Sequence, residues 1–331
     1  MVRFALFGAG RIGQVHAASI DAHPGAELLW VCDPMTAPAV ALAEKYGATA
    51  TSAVDQVLAD SRVDAVIVGS STPTHVDLLT RSVVAGKAVL CEKPIDLDLA
   101  RVDACWEQIK DTEHTVMVGF NRRFDPSFKD IRDRVRAGEL GRLEQLIIIS
   151  RDPEPPPAGY LAGSGGLFRD MTIHDFDMAR YFLGDVVEVQ AAGSNLVADY
   201  VADAGDIDGA MVTLRGVDGT LAQITNSRRC SFGYDQRIEA FGAGGMLTAQ
   251  NLLPTSVRYF GAERTESAAP YYNFFLERYT PAYRAELDHF ITAIEQGIAP
   301  SPGFADGRAA LVLADAANES LRTGATVRVD G

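Results

Sequence analysis

The glycine-rich stretch near the start of the chain constrains its fold more than any other feature. Val2–Phe7 is a continuous apolar run, as expected for a strand buried on both faces of a parallel sheet. It passes directly into Gly8-Ala9-Gly10-Arg11-Ile12-Gly13, and residues 11–22 have helical character. In such a unit the first glycine permits a tight turn, the second lets the backbone approach a pyrophosphate, and the third lets helix and strand pack closely. The pattern predicts a dinucleotide-binding unit.

An acidic residue follows at the place where such a unit needs one. The apolar stretch 27–33 ends on Asp33, 20 residues after Gly13. A carboxylate there accepts hydrogen bonds from ribose hydroxyls and repels a 2′-phosphate, while the helix N-terminus offers free N–H groups to the pyrophosphate. We therefore predict NAD rather than NADP as the cofactor. The alternative is a glycine-rich turn with an incidental aspartate.

The rest of the first third alternates between strand and helix patterns. Further strands are expected at 64–68, 88–91 and 115–118, and helices at 38–47, 74–85 and 99–112. This alternation predicts an α/β domain over residues 1–120, in which a doubly wound parallel sheet has helices on both faces.

After residue 120 the pattern changes to longer, alternating or β-branched stretches, which favour an antiparallel sheet with one exposed face. We expect strands at 143–150, 186–197, 207–215, 219–227, 236–241 and 255–260, and helices at 173–183, 281–296 and 305–322. Residues 121–331 are thus predicted to form an α+β domain with a large, open, mostly antiparallel sheet. Its C-terminal helices are candidates for packing back on the first domain.

Composition excludes several classes of function. The chain has 331 residues, enough for two domains at roughly 100–200 residues each. Its net charge of −14 disfavours binding to nucleic acid or to anionic membranes. No apolar window reaches the length of about 18 residues that a spanning helix needs, and the N-terminus is interpreted as a strand rather than a signal peptide. The four cysteines show no CxxC spacing, which favours free thiols and a cytoplasmic location.

A lysine follows the predicted strand 88–91, in the motif Glu92-Lys93-Pro94. Ligands of doubly wound sheets bind at the carboxyl ends of the strands. The ammonium group of Lys93 is suited to donate to a substrate hydroxyl or to stabilise a developing alkoxide. The alternative is a surface lysine beside a turn proline.

The segment 169–177 carries the strongest candidate for acid–base chemistry. If residues 170–183 form one helix, Asp170, His174 and Asp177 lie at i, i+4 and i+7, within roughly 60° on one face. A histidine between carboxylates is the arrangement of a general base with an orienting acid. The alternatives are aspartates that favour a helix N-terminus, or a metal site that also uses Asp175. Because no second His or Cys cluster lies nearby, no metal is predicted.

These motifs, together with Gly119–Asp125, resemble the glucose-fructose oxidoreductase/inositol dehydrogenase (Gfo/Idh/MocA) family. The resemblance covers essentially the whole chain, and the segment Ser164–Arg180 is most similar to the inositol dehydrogenases within that family. The glycine and Glu92-Lys93-Pro94 motifs are shared across the family and do not identify a substrate. The resemblance implies a Rossmann domain, NAD as cofactor, and homotetramers built on the open sheet of the second domain.

The resemblance also implies a role for each matching residue. Lys93, Asp170 and His174 match the catalytic residues. The expected cofactor-binding residues are Gly8, Gly10, Arg11, Ile12, Gly13, Asp33, Thr72, Pro73, His75, Glu92 and Lys93. The expected substrate-binding residues are Lys93, Asn121, Arg122, Asp152, His174, Asp177 and Tyr234. Asp152 stands where some relatives carry an amide, a difference that bears on the fine stereochemical preference and not on the reaction class.

The resulting hypothesis is NAD-dependent oxidation of a secondary hydroxyl of a cyclic polyol, with myo-inositol converted to its 2-keto product. The same chemistry on scyllo-inositol, a pyranose or a sugar acid remains open. Two further alternatives are an NAD-dependent glycosidase and a non-catalytic dinucleotide sensor.

Overall fold

The computed structural model describes residues 1–112 and 115–329, which separate into two units. The first unit comprises Met1–Phe124 and Pro281–Leu311. The second comprises Asp125–Thr280 and Val312–Gly331. Each unit has its own sheet, and the two are described in turn.

The sheet of the first unit is parallel throughout its described pairings. Its strands are β1 (Val2–Phe7), β2 (Ala26–Cys32), β3 (Thr49–Thr51), β4 (Ala65–Val68), β5 (Ala88–Cys91) and β6 (Val116–Val118). They lie in the order β3-β2-β1-β4-β5-β6, so the direction of winding reverses between β1 and β4. The predicted doubly wound α/β sheet is confirmed, and its ligand crevice is expected at this reversal.

Helices connect these strands as the alternation predicts. They are α1 (Arg11–Asp21), α2 (Thr36–Tyr46), α3 (Val54–Ala59), α4 (His75–Val84) and α5 (Leu99–Ile109). Gly47 follows the last residue of α2, and its φ of 70° is the left-handed conformation that favours glycine at this position.

The second unit contains the larger sheet, in the order β12-β11-β7-β10-β9-β8-β15. The strands from β7 onward are β7 (Leu143–Arg151), β8 (Val186–Ser194), β9 (Gly209–Gly216), β10 (Leu221–Ser227), β11 (Asp235–Gly242), β12 (Gly245–Ala249), β13 (Arg258–Tyr259), β14 (Ser267–Ala268) and β15 (Val327–Arg328). Strands β7 and β10 pair in parallel, and the other described pairings of this sheet are antiparallel. The predicted mostly antiparallel sheet is therefore confirmed.

One face of this sheet is open within the second unit, also as predicted. Along β9, Ala210, Val212 and Leu214 are buried, whereas the alternate residues are exposed. The predicted strand at 255–260 is wrong in extent, because Arg258–Tyr259 pairs outside this sheet with Ser267–Ala268. Residues 255–260 are exposed throughout, whereas β9 places alternate residues in the core.

The remaining helices complete the chain. They are α6 (Pro126–Arg136), α7 (Ala158–Ser164), α8 (Leu167–Asp170), α9 (Ile173–Leu183), α10 (Asp199–Asp203), α11 (Phe275–Arg278), α12 (Thr280–Gln296) and α13 (Phe304–Thr323). Helix α12 belongs to the first unit from Pro281 onward, and α13 is divided after Leu311. In the first unit, Leu287, Phe290 and Ile291 of α12 pack in the same core as the apolar residues of β1 and α1.

Two observations bear on the chemical setting. Among the described residues, the structure contains no helix with the length and apolar character needed to cross a bilayer. All four cysteines are free and buried, as the spacing predicts. Burial raises the pKa of the Cys91 thiol, and burial together with the charge of Asp33 raises that of Cys32 to about 11. Both are therefore protonated at neutral pH.

Candidate active site

The glycine turn after β1 has the geometry that its motif requires. Gly8 has a φ of 102°, and a Cβ atom there would lie 2.4 Å from the carbonyl oxygen of Gly69. A Cβ on Gly13 would lie 2.1 Å from the carbonyl oxygen of Gly8. Gly10 is exposed, and a Cβ there would meet no described atom within 4 Å. The turn therefore needs glycine at positions 8 and 13 for close packing, and it leaves open space beside Gly10.

Asp33 is held against this turn. One carboxylate oxygen accepts a hydrogen bond of 2.8 Å from the Ala9 N–H, and the other accepts one of 2.8 Å from the Met35 N–H. Because each carboxylate oxygen has a second lone pair, both bonds leave capacity for ribose hydroxyls. The open space at Gly10 and the oriented acid fit an adenine dinucleotide. These residues would hold its pyrophosphate and ribose.

The loops after β4 and β5 are joined by His75. Its Nδ1 lies 2.8 Å from the carbonyl oxygen of Pro94, and its Nε2 lies 3.1 Å from that of Ser70. Thr72 and Pro73 belong to a short 3₁₀ turn in the loop after β4, and Lys93, after β5, is half-buried. The sequence-predicted residues Thr72, Pro73, His75 and Lys93 thus belong to neighbouring loops at the carboxyl ends of the parallel strands. His75 is the buried connection between them.

Glu92 belongs to a buried cluster of titratable side chains that the sequence did not predict. Glu92 Oε1 lies 2.7 Å from His16 Nε2, and the ring of Tyr283 packs edge-on against His16 at 5.8 Å. Glu286, one helical turn after Tyr283 on α12, is fully buried. Burial and then the charge of Glu92 raise the pKa of Glu286 well above its usual range. No sequence spacing relates these residues, which the fold brings together.

Asn121 and Arg122 lie in a buried 3₁₀ turn, Asn121–Phe124, after β6. Arg123, the next residue, pairs with Asp306 at 3.0 Å and is a structural arginine. The side-chain nitrogen of Asn121 is buried and has no hydrogen-bond partner within residues 1–112 and 115–329. A buried donor of this kind is suited to a ligand hydroxyl.

In the second unit, the helix predicted at 173–183 is confirmed, but it does not extend back to Asp170, as a helical face shared by Asp170 and His174 would require. Asp170 ends the short helix α8, and α9 begins at Ile173. Asp170 therefore does not share a helical face with His174, whereas His174 and Asp177 both lie on α9. The break has a tertiary cause, because the buried Thr172 donates from Oγ1 to Asn226 Oδ1 at 2.7 Å and so holds the start of α9 on β10.

Asp175 is a structural residue of the same network. Its carboxylate accepts hydrogen bonds from Ser150 Oγ at 2.6 Å and from Asn226 Nδ2 at 2.8 Å, and its side chain is fully buried. These contacts account for Asp175 without a metal ion. Within the described part of the chain, no three His, Cys, Asp or Glu side chains are grouped to hold one.

Two of the predicted substrate residues lie at one end of the second sheet. Arg151 at the end of β7 pairs with Asp235 of β11 and with Ser227 of β10. The residues just beyond these pairs are Asp152, Tyr234 and Arg228. Asp152 is half-buried and donates its N–H to the Ser227 carbonyl at 2.9 Å. Tyr234 is buried with its ring edge-on to two other aromatic rings.

The proposed catalytic carboxylate has partners that the sequence did not reveal. Asp170 Oδ1 accepts a hydrogen bond of 2.9 Å from the Tyr160 hydroxyl. Arg228 Nη1 lies 3.4 Å from Asp170 Oδ2, and its Nη2 lies 3.4 Å from Asp206 Oδ2. His174 is half-buried and Asp177 is buried on α9. Only the position of Arg228, directly after the predicted strand 219–227, could have indicated from the sequence that it belongs to the site.

Comparison with known proteins agrees with these features. Residues 2–120 match the model of an oxidoreductase family with an NAD-binding Rossmann fold, and residues 128–248 match the GFO/IDH/MocA C-terminal domain. The chain is 47% identical over 321 residues to an inositol 2-dehydrogenase of Rhizobium meliloti (strain 1021), covering 97% of each protein. It is 34% identical to a scyllo-inositol 2-dehydrogenase (NAD(+)) of Bacillus subtilis (strain 168), covering 99% of the chain and 96% of that protein.

The fold is also that of a solved relative. A crystal structure of a myo-inositol dehydrogenase from Corynebacterium glutamicum ATCC 13032 matches with a TM-score of 0.98 and 56% identity, covering 100% of this chain and 99% of that one. The cofactor that the glycine turn and Asp33 predict is NAD, in agreement with the N-terminal family. On this full-length similarity, the chain belongs to the GFO/IDH/MocA family of oxidoreductases.

Proposed function

We propose that this oxidoreductase transfers a hydride to NAD from a secondary carbinol of a cyclic polyol, with myo-inositol as substrate and its 2-keto derivative as product. One observation carries the proposal: the chain matches inositol dehydrogenases over its full length. The acidic and phenolic side chains of Asp152 and Tyr234, just beyond the strand ends of the second sheet, support it. Polyol hydroxyls both donate and accept hydrogen bonds, so such a mixed set suits them.

Each proposed catalytic residue has a defined task. His174 removes the proton of the reacting hydroxyl, and Asp170 orients the imidazole and stabilises the imidazolium. Lys93 donates a hydrogen bond to the same oxygen as negative charge develops on it. NAD, when bound, supplies the hydride acceptor.

The contribution of Lys93 is limited by what changes during the reaction. An ammonium group about 4 Å from an alkoxide is worth on the order of 4 kcal/mol at an effective dielectric constant near 20. The ground-state hydroxyl already contacts the same lysine in this mechanism. Only the increase between ground state and transition state accelerates the reaction.

Recognition of the remaining hydroxyls falls to the other polar residues. The buried amide of Asn121 is a donor, Arg122 is a charged donor, and Asp152 and Asp177 are acceptors. Tyr234 can donate or accept. A site that bonds particular hydroxyls discriminates strongly against stereoisomers that leave its groups unpaired. Since relatives are named for both myo- and scyllo-inositol, isomer preference is the finer part of the proposal.

The test is a substrate panel followed by NADH absorbance. Myo-inositol, scyllo-inositol, glucose and gluconate are each offered with NAD and with NADP, and myo-inositol with NAD should give the highest kcat/KM. Faster turnover of another panel member would replace the substrate and keep the reaction class. Release of an aglycone from a glycoside without net NADH would indicate a glycosidase, and NAD binding without any turnover would indicate a sensor.

Two variants connect the reaction to the proposed residues. Lys93→Met and His174→Asn should each lower kcat by about 10²–10⁴-fold, the usual contribution of a positioned acid or base. The control is Lys129→Met, which removes an exposed lysine that pairs with Asp133 on α6. Wild-type turnover by either of the first two variants would contradict the assigned role.

We also infer that the chain works in the cytoplasm. Its four cysteines carry free, buried thiols, a pattern typical of proteins in a reducing compartment.

A further inference from the structure

Arg228 is an unusual arginine, because its side chain is only 1% exposed. It follows β10 directly, and its backbone N–H donates to the carbonyl oxygen of Asp208 at 2.8 Å. A guanidinium group stays charged when it is buried, so it requires compensating acids. Its two terminal nitrogens face two different carboxylates, those of Asp170 and Asp206.

The two acids lie at opposite ends of one short helix. Asp170 is the last residue of α8. Asp206 Oδ1 accepts a hydrogen bond of 2.9 Å from the N–H of Leu167, the first residue of α8. The same Oδ1 atom would lie 3.0 Å from a Cβ on Gly166, so Asp206 also packs closely on the turn that enters the helix. Arg228 therefore connects both ends of α8 to the end of β10.

The planar guanidinium also helps to define the orientation of the Asp170 carboxylate. Oδ2 of Asp170 faces Arg228 at 3.4 Å, while Oδ1 accepts the Tyr160 hydroxyl at 2.9 Å. Because both oxygens are held in this way, rotation of the carboxylate about its bond is restricted. The cation further offsets part of the negative charge that Asp170 presents.

We propose that Arg228 is a positioning residue for the dehydrogenation: it fixes the carboxylate of Asp170 in place and thereby sets how effectively Asp170 supports His174. This inference rests on the proposed function of Asp170 and His174. It assigns to Arg228 no contact with substrate or cofactor. A purely structural ion pair would stabilise the unit without acting through Asp170.

The test is a double-mutant cycle on the full chain. Arg228→Lys keeps the charge but loses the fork that reaches two carboxylates at once. It should lower kcat with the preferred polyol by about tenfold or more, as expected when a catalytic group is displaced, and leave the KM for NAD unchanged. In an Asp170→Asn background the same change should lower kcat by less than about twofold, because the group through which it acts is already altered.

Two more variants distinguish a loss of positioning at Asp170 from a general loss of folded protein. Asp206→Asn keeps an acceptor for the Leu167 N–H but removes the charge that faces Nη2 of Arg228. It should therefore lower kcat in the wild-type background, and this loss should disappear in the Asp170→Asn background. Arg169→Lys is the matched control, since Arg169 also lies on α8 but pairs with Asp315 at 2.6 Å. It should keep kcat within about twofold of wild type, as expected for a partly exposed pair.

The outcomes separate this inference from the function on which it rests. Equal losses of kcat for Arg228→Lys in the wild-type and Asp170→Asn backgrounds would show a structural role and overturn it, even if polyols are oxidised. An unchanged kcat in Arg228→Lys would overturn it as well. If wild type oxidises no polyol, the proposed function fails and this role falls with it.

Discussion

The buried environment of Glu286 predicts that the stability of the folded protein depends on pH. Its carboxyl group is fully buried on α12, and neither oxygen has a hydrogen-bond partner in the described part of the chain. The charge of Glu92 raises its pKa, and Glu92 in turn lies 2.7 Å from His16. Burial and the neighbouring acid both favour the protonated form. We therefore expect Glu286 to hold a proton in the folded protein at neutral pH.

The raised pKa gives Glu286→Gln a pH-dependent effect on stability. Below about pH 4 the folded and unfolded chains both bind this proton, because an ordinary glutamate has a pKa of about 4.3. As the pH rises, the unfolded chain loses the proton first, so the folded state binds more protons and wild type loses stability. The glutamine variant does not titrate, so it should gain at least about 1 kcal/mol on wild type between pH 4 and pH 8.

Thermal unfolding at the two pH values measures this difference. A gain of about 1 kcal/mol corresponds to a rise in Tm of about 2–4 °C for units of this size. Glu295→Gln, on an exposed glutamate of the same helix, is the control and should show a much smaller pH-dependent difference, since its pair with the N-terminal ammonium is exposed. An equal change in Tm for Glu286→Gln at pH 4 and pH 8 would mean that Glu286 is ionised in the folded protein.

The helices and strands that the sequence predicts correctly are those long enough to show a regular hydrophobic pattern. Helix α9 begins and ends at the predicted residues, and β1 follows its apolar run. The short elements β3 and α3 were not predicted, because three to six residues give too little periodicity. The break before α9 depends on a hydrogen bond from Thr172 to β10, which no local pattern contains.

The residues of the candidate site also fall into two groups, those that a local motif predicts and those that meet only in the tertiary fold. Gly8, Gly13 and Asp33 were predictable because the dinucleotide motif is local in sequence and its spacing carries the geometry. Arg228 and Glu286 were not, because each meets its partners through the tertiary fold alone. Residues that hold a site in place have weaker sequence signals than residues that line it.

The open face of the second sheet predicts how chains associate. Alternate residues of its strands leave Met211, Leu221 and Phe241 between 39% and 61% exposed. Exposed apolar side chains on an otherwise regular sheet favour burial against another copy. The family resemblance implies a homotetramer, and we expect it to use this face and to show about four times the mass of one chain by light scattering.

A substitution on the face tests this expectation. Ile147 lies on β7 opposite Gln223 and Glu239, and its side chain is partly exposed on the open face. Ile147→Asp places an unpaired charge there, which should shift the mass towards dimers or monomers without loss of secondary structure. Val84→Asp, on an exposed apolar residue of the first unit, is the control and should leave the mass unchanged. A tetramer that persists in Ile147→Asp would place the interface elsewhere.

At the scale of the whole molecule, the first unit is not contiguous in sequence. The match to the NAD-binding family ends at residue 120, whereas the unit also includes Pro281–Leu311. From that segment Leu287, Phe290 and Ile291 are at most 3% exposed in the core cluster. Burying such side chains contributes about 1.5–3 kcal/mol each, which is an upper estimate. The three together approach the total stability of about 5–15 kcal/mol of an ordinary domain.

The fragment Met1–Phe124 should therefore not fold stably by itself. We expect it to show no cooperative thermal transition and no NAD binding by calorimetry. The same fragment joined to Pro281–Leu311 by a flexible Gly/Ser linker should recover both, because the linker restores the missing part of the core. Phe290→Asp in the joined protein is the matched control and should abolish the recovery, since it places a charge among buried apolar side chains. If Met1–Phe124 alone binds NAD and unfolds like the joined protein, α12 contributes little to the stability of the cofactor-binding unit.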